Sequence, residues 1–288
     1  MHINFKYFIV SISAIFLALG IGIFVGSNLG SNENIQKQNE SIIKDIDKQI
    51  SSQKEQNEAI VAENKAYNTS IDNLKSYIDQ NESTLNSGRL KDKRIALISL
   101  NEKESVDTIQ KSLVESGAEV SMNITLKDAL LGKDTLTKVN QKLGTNLKNN
   151  NELINFIADA IRNPSKIGTL KKLEELEYVK IDKSTGDFNA INNIVLFTNS
   201  NAKVKNKFDN IEKPIVNNLR DEKRMVVVQT SASSIENIQK FNKLKVATVN
   251  NIDESSGRVA LVQILLNEDE NGAFGNINKD TILVPKVK

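Results

Sequence analysis

Apolar positions fall into three regimes along this chain. From Ile9 to Val25 nearly every residue is apolar, with only Ser11, Ser13 and glycines between. Carried on to Leu29, the run reaches about 20 residues, enough to cross a hydrocarbon core of ~30 Å. Residues 27–34, SNLGSNEN, read as a short polar joint. From there to Gly88 there is no proline and, after Gly30, no glycine, and the apolar residues repeat every seven. With Ile43 as a, the a positions include Ile43, Ile50, Asn57, Asn64, Ile71, Ile78 and Leu85, and the d positions include Ile46, Ile60, Tyr67 and Leu74. One register held this long predicts a coiled coil about 75 Å in length at 1.5 Å per residue. Isoleucine at a favours two parallel strands, and asparagine at a fixes register at some cost in stability. The alternative is a single amphipathic helix lying on the domain behind it.

Beyond Lys91 the pattern changes to short β-branched runs between helical stretches. KRIALISL, AEVSMNITL, NNIVLFTN, RMVVVQTS and KVATVN predict strands. Helices are expected over 104–116, over most of 134–180, over 203–221 with a kink at Pro214, over 234–242 and in GRVALVQILL. The last residues, TILVPKVK, can add one more strand. Alternating strands and helices imply a parallel sheet covered on both faces. The predicted class is therefore α/β: a transmembrane helix and tail in 1–30, a joint and coiled coil in 31–88, and a Rossmann-like three-layer domain with a mainly parallel sheet in 89–288.

Charge orients the first segment. Lys6 precedes it and no Lys or Arg follows until Lys37, so the positive-inside rule puts the short N-tail in the cytoplasm and the rest outside. A cleaved signal peptide competes, but its apolar core runs only ~7–15 residues before a small-residue site, and VGSNLGSN is a poor one. Within the segment Ala14, Ala18, Gly22 and Gly26 recur every fourth position, the spacing of small-residue faces that bring membrane helices together.

Composition removes much chemistry. The 288 residues hold no cysteine, one histidine (His2), and 38 basic against 36 acidic residues. Disulfides, thiolate metal sites and cysteine nucleophiles are excluded. A net charge of +2 gives no electrostatic case for nucleic acid. Without histidine in the domain a Ser-His-Asp triad cannot form, although Ser99 and Ser231 follow strands. No glycine-rich phosphate loop follows the first strand. The chain is not expected to be an enzyme, and no cofactor is evident. Met122 and Met225 sit in strand-like runs and read as core fillers, whereas Met1 and His2 make only a weak pair. Glu174–Glu175 and the NEDEN run at 267–271 read as solvated charge.

The most constrained stretch lies near the C-terminus, NNIDESSGRVALVQILL followed by NGAFG and LVP. Asp253 and the serines at 255 and 256 are expected to cap a helix beginning near Gly257. Gly272 and Gly275 flank Phe274 in a turn that requires positive φ.

These two ends resemble the bacterial copper transport protein B (MctB) family, which also includes SteB-like cell-division proteins. YFIVSISAIFLALGIGIFVGS is similar to that family's anchor. Asp253, Gly257, Arg258, Gly272, Phe274, Gly275 and Pro285 match its C-terminal motif, with Phe274 where the family has Tyr. The resemblance implies a copper efflux or homeostasis role at the envelope, with copper a cofactor or cargo on that ground alone. It equally implies a scaffold that binds a cell-division or cell-envelope partner without copper chemistry. In either case the expected partners are the membrane and a second copy of the chain. No ligand set is implied for the metal.

Overall fold

In a computed structural model, residues 5–30, 33–184, 187–199, 206–267, 269, 271–275 and 282–285 are described. They form two units, one ending at Ile71 and one beginning at Asp72.

The first unit is helical. α1 (Phe5–Gly30) takes in the apolar run and four residues of the expected joint; α2 (Glu33–Asn86) starts almost at once. What remains of the joint, Ser31 and Asn32, lies outside the described residues, as do Met1 and His2. α2 is one helix of 54 residues, as an uninterrupted run without proline or glycine dictates. It ends before Gly88, which takes φ +67° to turn the chain.

The second unit holds the last turns of α2 and the α/β domain. Among the described residues its sheet has seven strands in the order β3-β2-β1-β4-β5-β6-β7. They are β1 (Arg94–Ser99), β2 (Glu119–Leu126), β3 (Val179–Ser184), β4 (Asn193–Phe197), β5 (Arg224–Val228), β6 (Ala247–Val249) and β7 (Ala273–Phe274). All neighbours are parallel except β2 and β3. The helices are α3 (Asp107–Glu115), α4 (Thr135–Leu143), α5 (Asn150–Arg162), α6 (Ile167–Glu175), α7 (Lys213–Leu219), α8 (Ile235–Asn242) and α9 (Ser255–Leu266).

Strand alternation builds two cores. Ala96, Ile98, Ile194, Leu196 and Val227 point to one face, where they meet residues of α4 to α8. Ile95, Leu97, Val195, Phe197 and Val226 point to the other, with α3 and α9. Two covered faces explain why these strands read as unbroken apolar runs. Met122 and Met225 are buried in the first core, as fillers.

Three local readings are corrected. The stretch expected to stay helical to residue 180 ends at Glu175 and becomes β3, an antiparallel edge strand. No glycine marks the stop: Glu177 itself takes the left-handed conformation, φ +61°. Pro214 is the second residue of α7, in a helical backbone that continues from the residues before it, Glu212 being right-handed helical as well. The irregularity precedes it, as a π-helical turn over Phe208–Glu212. The expected start of that helix, 203–205, lies outside the described residues. Finally, AF of NGAFG forms β7, and the predicted last strand contributes a single bridge from Ile282 to Phe274.

Phe241 is fully buried in the first core and meets Phe208 edge-on, ring centroids 5.2 Å apart. Phe241→Ala should lower unfolding stability by about 3–5 kcal/mol, read as a lower urea midpoint with an unchanged slope.

Candidate functional site

The predicted C-terminal motif gathers around one side chain, Asn251, which is fully buried just after β6. A Cβ on Gly257 would lie 2.0 Å from the Asn251 carbonyl oxygen, and one on Gly275 would lie 2.4 Å from its Oδ1. Both glycines are therefore required by contact, and Gly275 also by its φ of +94°. Gly272 does not have the positive φ expected of it: only ring atoms of Phe274, at 3.5 Å, lie near its would-be Cβ. Its carbonyl instead accepts the Thr248 N–H at 2.9 Å. Phe274 is buried in β7, and its carbonyl accepts the Asn250 N–H at 3.0 Å. Pro285 is buried as well. Asn251 donates through Nδ2 to Ser256 Oγ at 2.9 Å, pinning the first turn of α9 to the strand end.

The capping prediction is corrected. α9 starts at Ser255 after Glu254, and no side chain caps it. Asp253 accepts instead from the backbone N–H and the hydroxyl of Ser231, both at 2.7 Å, joining the loops after β5 and β6. Ser255 accepts from Arg258 Nη2 at 2.6 Å.

Arg258 makes the longest reach. Its guanidinium grips the Glu82 carboxylate of α2 with two parallel bonds, Nε to Oε1 at 2.7 Å and Nη2 to Oε2 at 2.6 Å. Nη1 holds the Asp253 carbonyl at 2.9 Å, and Ser112 of α3 adds a bond to Glu82 at 3.2 Å. The pair is largely buried, at 13% and 18% side-chain exposure. A second ion pair, Lys75 to Glu254 at 3.0 Å, lies two turns earlier in α2 on the same face. The predicted C-terminal motif thus forms a socket for the last turns of α2.

The other predicted residues are placed as follows. Ala14, Ala18, Gly22 and Gly26 are exposed along α1, with open space where a Cβ on either glycine would sit. Ile43, Ile46, Ile50, Asn57, Ile60, Asn64, Tyr67, Ile71, Leu74 and Leu85 are all exposed on α2, and Ile78 is half-buried. Within the second unit the socket face therefore leaves Leu74 and Leu85 of the heptad seam uncovered.

At the carboxyl ends of the strands, where parallel sheets bind ligands, the polar groups bond mainly to one another. Ser99 bonds the backbone of Asn101, Ser233 donates to Asn199 at 2.6 Å, and Asn199 donates to Glu104. Lys207 is buried between the Leu100 carbonyl and Asp128, the latter at 2.5 Å. Glu212, also buried, accepts from Thr198. Burial raises the Glu212 pKa, only partly offset by the Thr198 bond and by Lys207. Among the described residues neither Ser99 nor Ser231 hydrogen-bonds a lysine: Ser99 bonds the Asn101 backbone and Ser231 bonds Asp253. Glu174 accepts the Ile181 N–H, and Glu175 pairs with Lys142. Among the described residues no three His, Asp or Glu side chains converge as metal ligands.

A family model described as copper transport outer membrane protein, MctB, matches residues 2–285. The chain belongs to this family. No curated protein matches it. The match runs through α1, α2 and the α/β domain alike, so the anchor-like helix and the socket are both inside the family's extent. Membrane association follows from that family and from α1, the one described helix long and apolar enough to cross a bilayer.

Glu82 gives the socket a pH dependence. Burial would push its pKa up, but the Arg258 bonds, with help from Ser255 and Ser112, outweigh it and hold the carboxyl below its ordinary 4.5. A depressed folded pKa stabilises above the unfolded value and is lost as pH falls through the folded one. Amide protection factors of residues 75–86 should therefore be high at neutral pH and drop below about pH 4.5. Glu82→Gln should show the low protection already at pH 7 and no acid step. Arg258→Leu should cost up to about 3 kcal/mol, the low end for breaking a buried pair. Gly257→Ala should destabilise by at least ~1–3 kcal/mol through overpacking, checked by thermal melting.

Proposed function

We propose that this protein is a single-pass envelope protein of copper homeostasis whose own part is mechanical. It stands in the cytoplasmic membrane with its N-terminus inside, and α2 of two copies pairs as a parallel coiled coil carrying the α/β domains. Family membership supports the copper role. The mechanical part rests on the Arg258–Glu82 grip, which fixes the end of a 54-residue helix to the domain. The open heptad seam supports pairing, and the small-residue ridge of α1 supports a second contact between the two anchors.

The alternative is a scaffold for a cell-division or cell-wall partner, without copper chemistry. One observation favours it: the chain has no cysteine and its only histidine is His2. Copper in its reduced state prefers thiolate, thioether and imidazole ligands. A stretch after the anchor that offers only Met122 and Met225 of these, both buried, is poorly equipped to hold it.

Deleting the gene and challenging the strain with copper separates the readings. Lost copper tolerance, restored by wild type and not by Arg258→Leu, is the expected result. Unchanged tolerance with misplaced septa would replace it with the scaffold reading. For the dimer, Asn57→Ile with Asn64→Ile should tighten self-association but loosen its preference for two strands. Sedimentation of the full chain in detergent micelles reads this directly, and a wild-type monomer at every concentration would end the coiled-coil reading.

A further inference from the structure

The domain holds the last turns of α2 by one flank of the helix. Counted from Ile43 as a, Lys75 and Glu82 are consecutive e positions. Lys75 pairs with Glu254 just before α9, and Glu82 with Arg258 inside it. Ile78, the a residue between them, is half-buried, and Asn86, one turn beyond Glu82, is buried. The g flank is bare. Tyr77 stands there 65% exposed, with the exposed d residue Leu74 beside it. Every other g position from Gln49 to Thr84 is polar, so Tyr77 alone breaks that row, and it does so at the level of the socket.

Heptad geometry says what a g residue meets. In a parallel two-stranded coil it lies beside the next e residue of the other helix, where opposite charges ordinarily pair. For Tyr77 that residue is Glu82. Here the e carboxylate is already engaged, because the Arg258 guanidinium holds both of its oxygens. A g residue arriving at Glu82 therefore finds a neutralised, largely buried ion pair. A charged side chain would lose hydration there for little return. A tyrosine ring fits better: its face attracts a guanidinium, and its hydroxyl can stay at the wet edge.

We propose that Tyr77 of a second copy packs on the Glu82–Arg258 pair, so that each α/β domain is held by both helices of the dimer. This rests on the parallel pairing of α2 proposed above and adds that the other helix completes the socket. Two-fold symmetry makes the contact twice. The ring shuts the remaining water away from the ion pair, and a drier pair attracts more strongly. Pairing of the helices and docking of the domain then support each other.

Two crosslinks in the full chain, in detergent micelles, separate the contact from the coil. Leu74→Cys, at d, reads the coil alone: in a chain without cysteine it oxidises to a linked dimer only when two copies pair parallel and in register. Tyr77→p-benzoylphenylalanine reads the contact. Photolysis of mixed isotope-labelled and unlabelled copies should join residue 77 of one copy to the peptides carrying Glu82 and Arg258 of the other. Tyr77→Ala should weaken self-association about tenfold, and Tyr77→Phe, which keeps the ring, less than about twofold. In an Arg258→Leu background, Tyr77→Ala should cost less than about twofold. Circular dichroism melting checks that each variant folds. A Leu74→Cys dimer whose residue 77 never links to the Arg258 peptide would overturn the contact and leave the coil standing. So would Tyr77→Ala pairing like wild type, or losing as much with Arg258→Leu as without it. Absence of the Leu74→Cys dimer would end both.

Discussion

The Asn251 side chain has no room to move, and the C-terminal third of the domain is arranged around that fact. Gly257 packs against the Asn251 backbone carbonyl and side-chain oxygen, and Gly275 against the side-chain oxygen, so closely that a methyl group at either would overlap them. Its amide holds Ser256, which sets the first turn of α9. With that turn set, Arg258 projects toward α2 and meets Glu82 in a two-bond grip. The order of cause runs from a buried amide, through two glycines, to a salt bridge between residues 176 apart in sequence. Close packing makes such a chain of dependence stiff, because an interior at crystal-like density cannot absorb a methyl group by yielding slightly.

This arrangement explains why the boundary between the two units falls inside a helix. α2 is continuous in hydrogen bonding from Glu33 to Asn86, yet from Asp72 its residues belong with the sheet. Lys75 and Glu82 lie on the face turned to α9 and α3, and Asn86 is buried. Of the heptad seam in these turns, Leu74 and Leu85 stay exposed and Ile78 is half-buried. A helix has room for both, since residues seven apart repeat on one side while a neighbouring stripe serves another partner.

The fold was legible where burial leaves a periodic trace. β1, β2, β4 and β5 are covered on both faces and read as β-branched runs; α9 is wrapped by its surroundings and reads as apolar nearly throughout. β3 was not legible, because an edge strand with Lys180, Asp182 and Lys183 exposed has the composition of a polar helix. The helix before it also ends in Glu177 rather than glycine. In the site, the motif residues could be picked out but not their roles. Asp253 next to two serines has the local look of a cap, and only the fold brings Ser231 to it. Glu82 gave no signal at all, since its partner lies near the other end of the chain and a lone glutamate in a polar helix is unremarked.

The two ends of the sheet divide polar chemistry between them. At the carboxyl ends, Ser99, Asn199 and Ser233 bond one another or nearby backbone, and the charges of Lys207 and Asp128 meet. Among the described residues this crest engages most of the side chains at the end where parallel sheets ordinarily bind, while the buried Asn101 Nδ2 and Gln229 Oε1 have no hydrogen-bond partner. At the amino ends Arg220 and Lys223 donate to backbone carbonyls, Lys223 lies over the Phe188 ring, and Arg220 also faces the Asp221 carboxylate at 3.6 Å. Polar groups that bond one another at a strand end stabilise and specify the fold, because each buried donor or acceptor left without a partner there costs the full desolvation of that group.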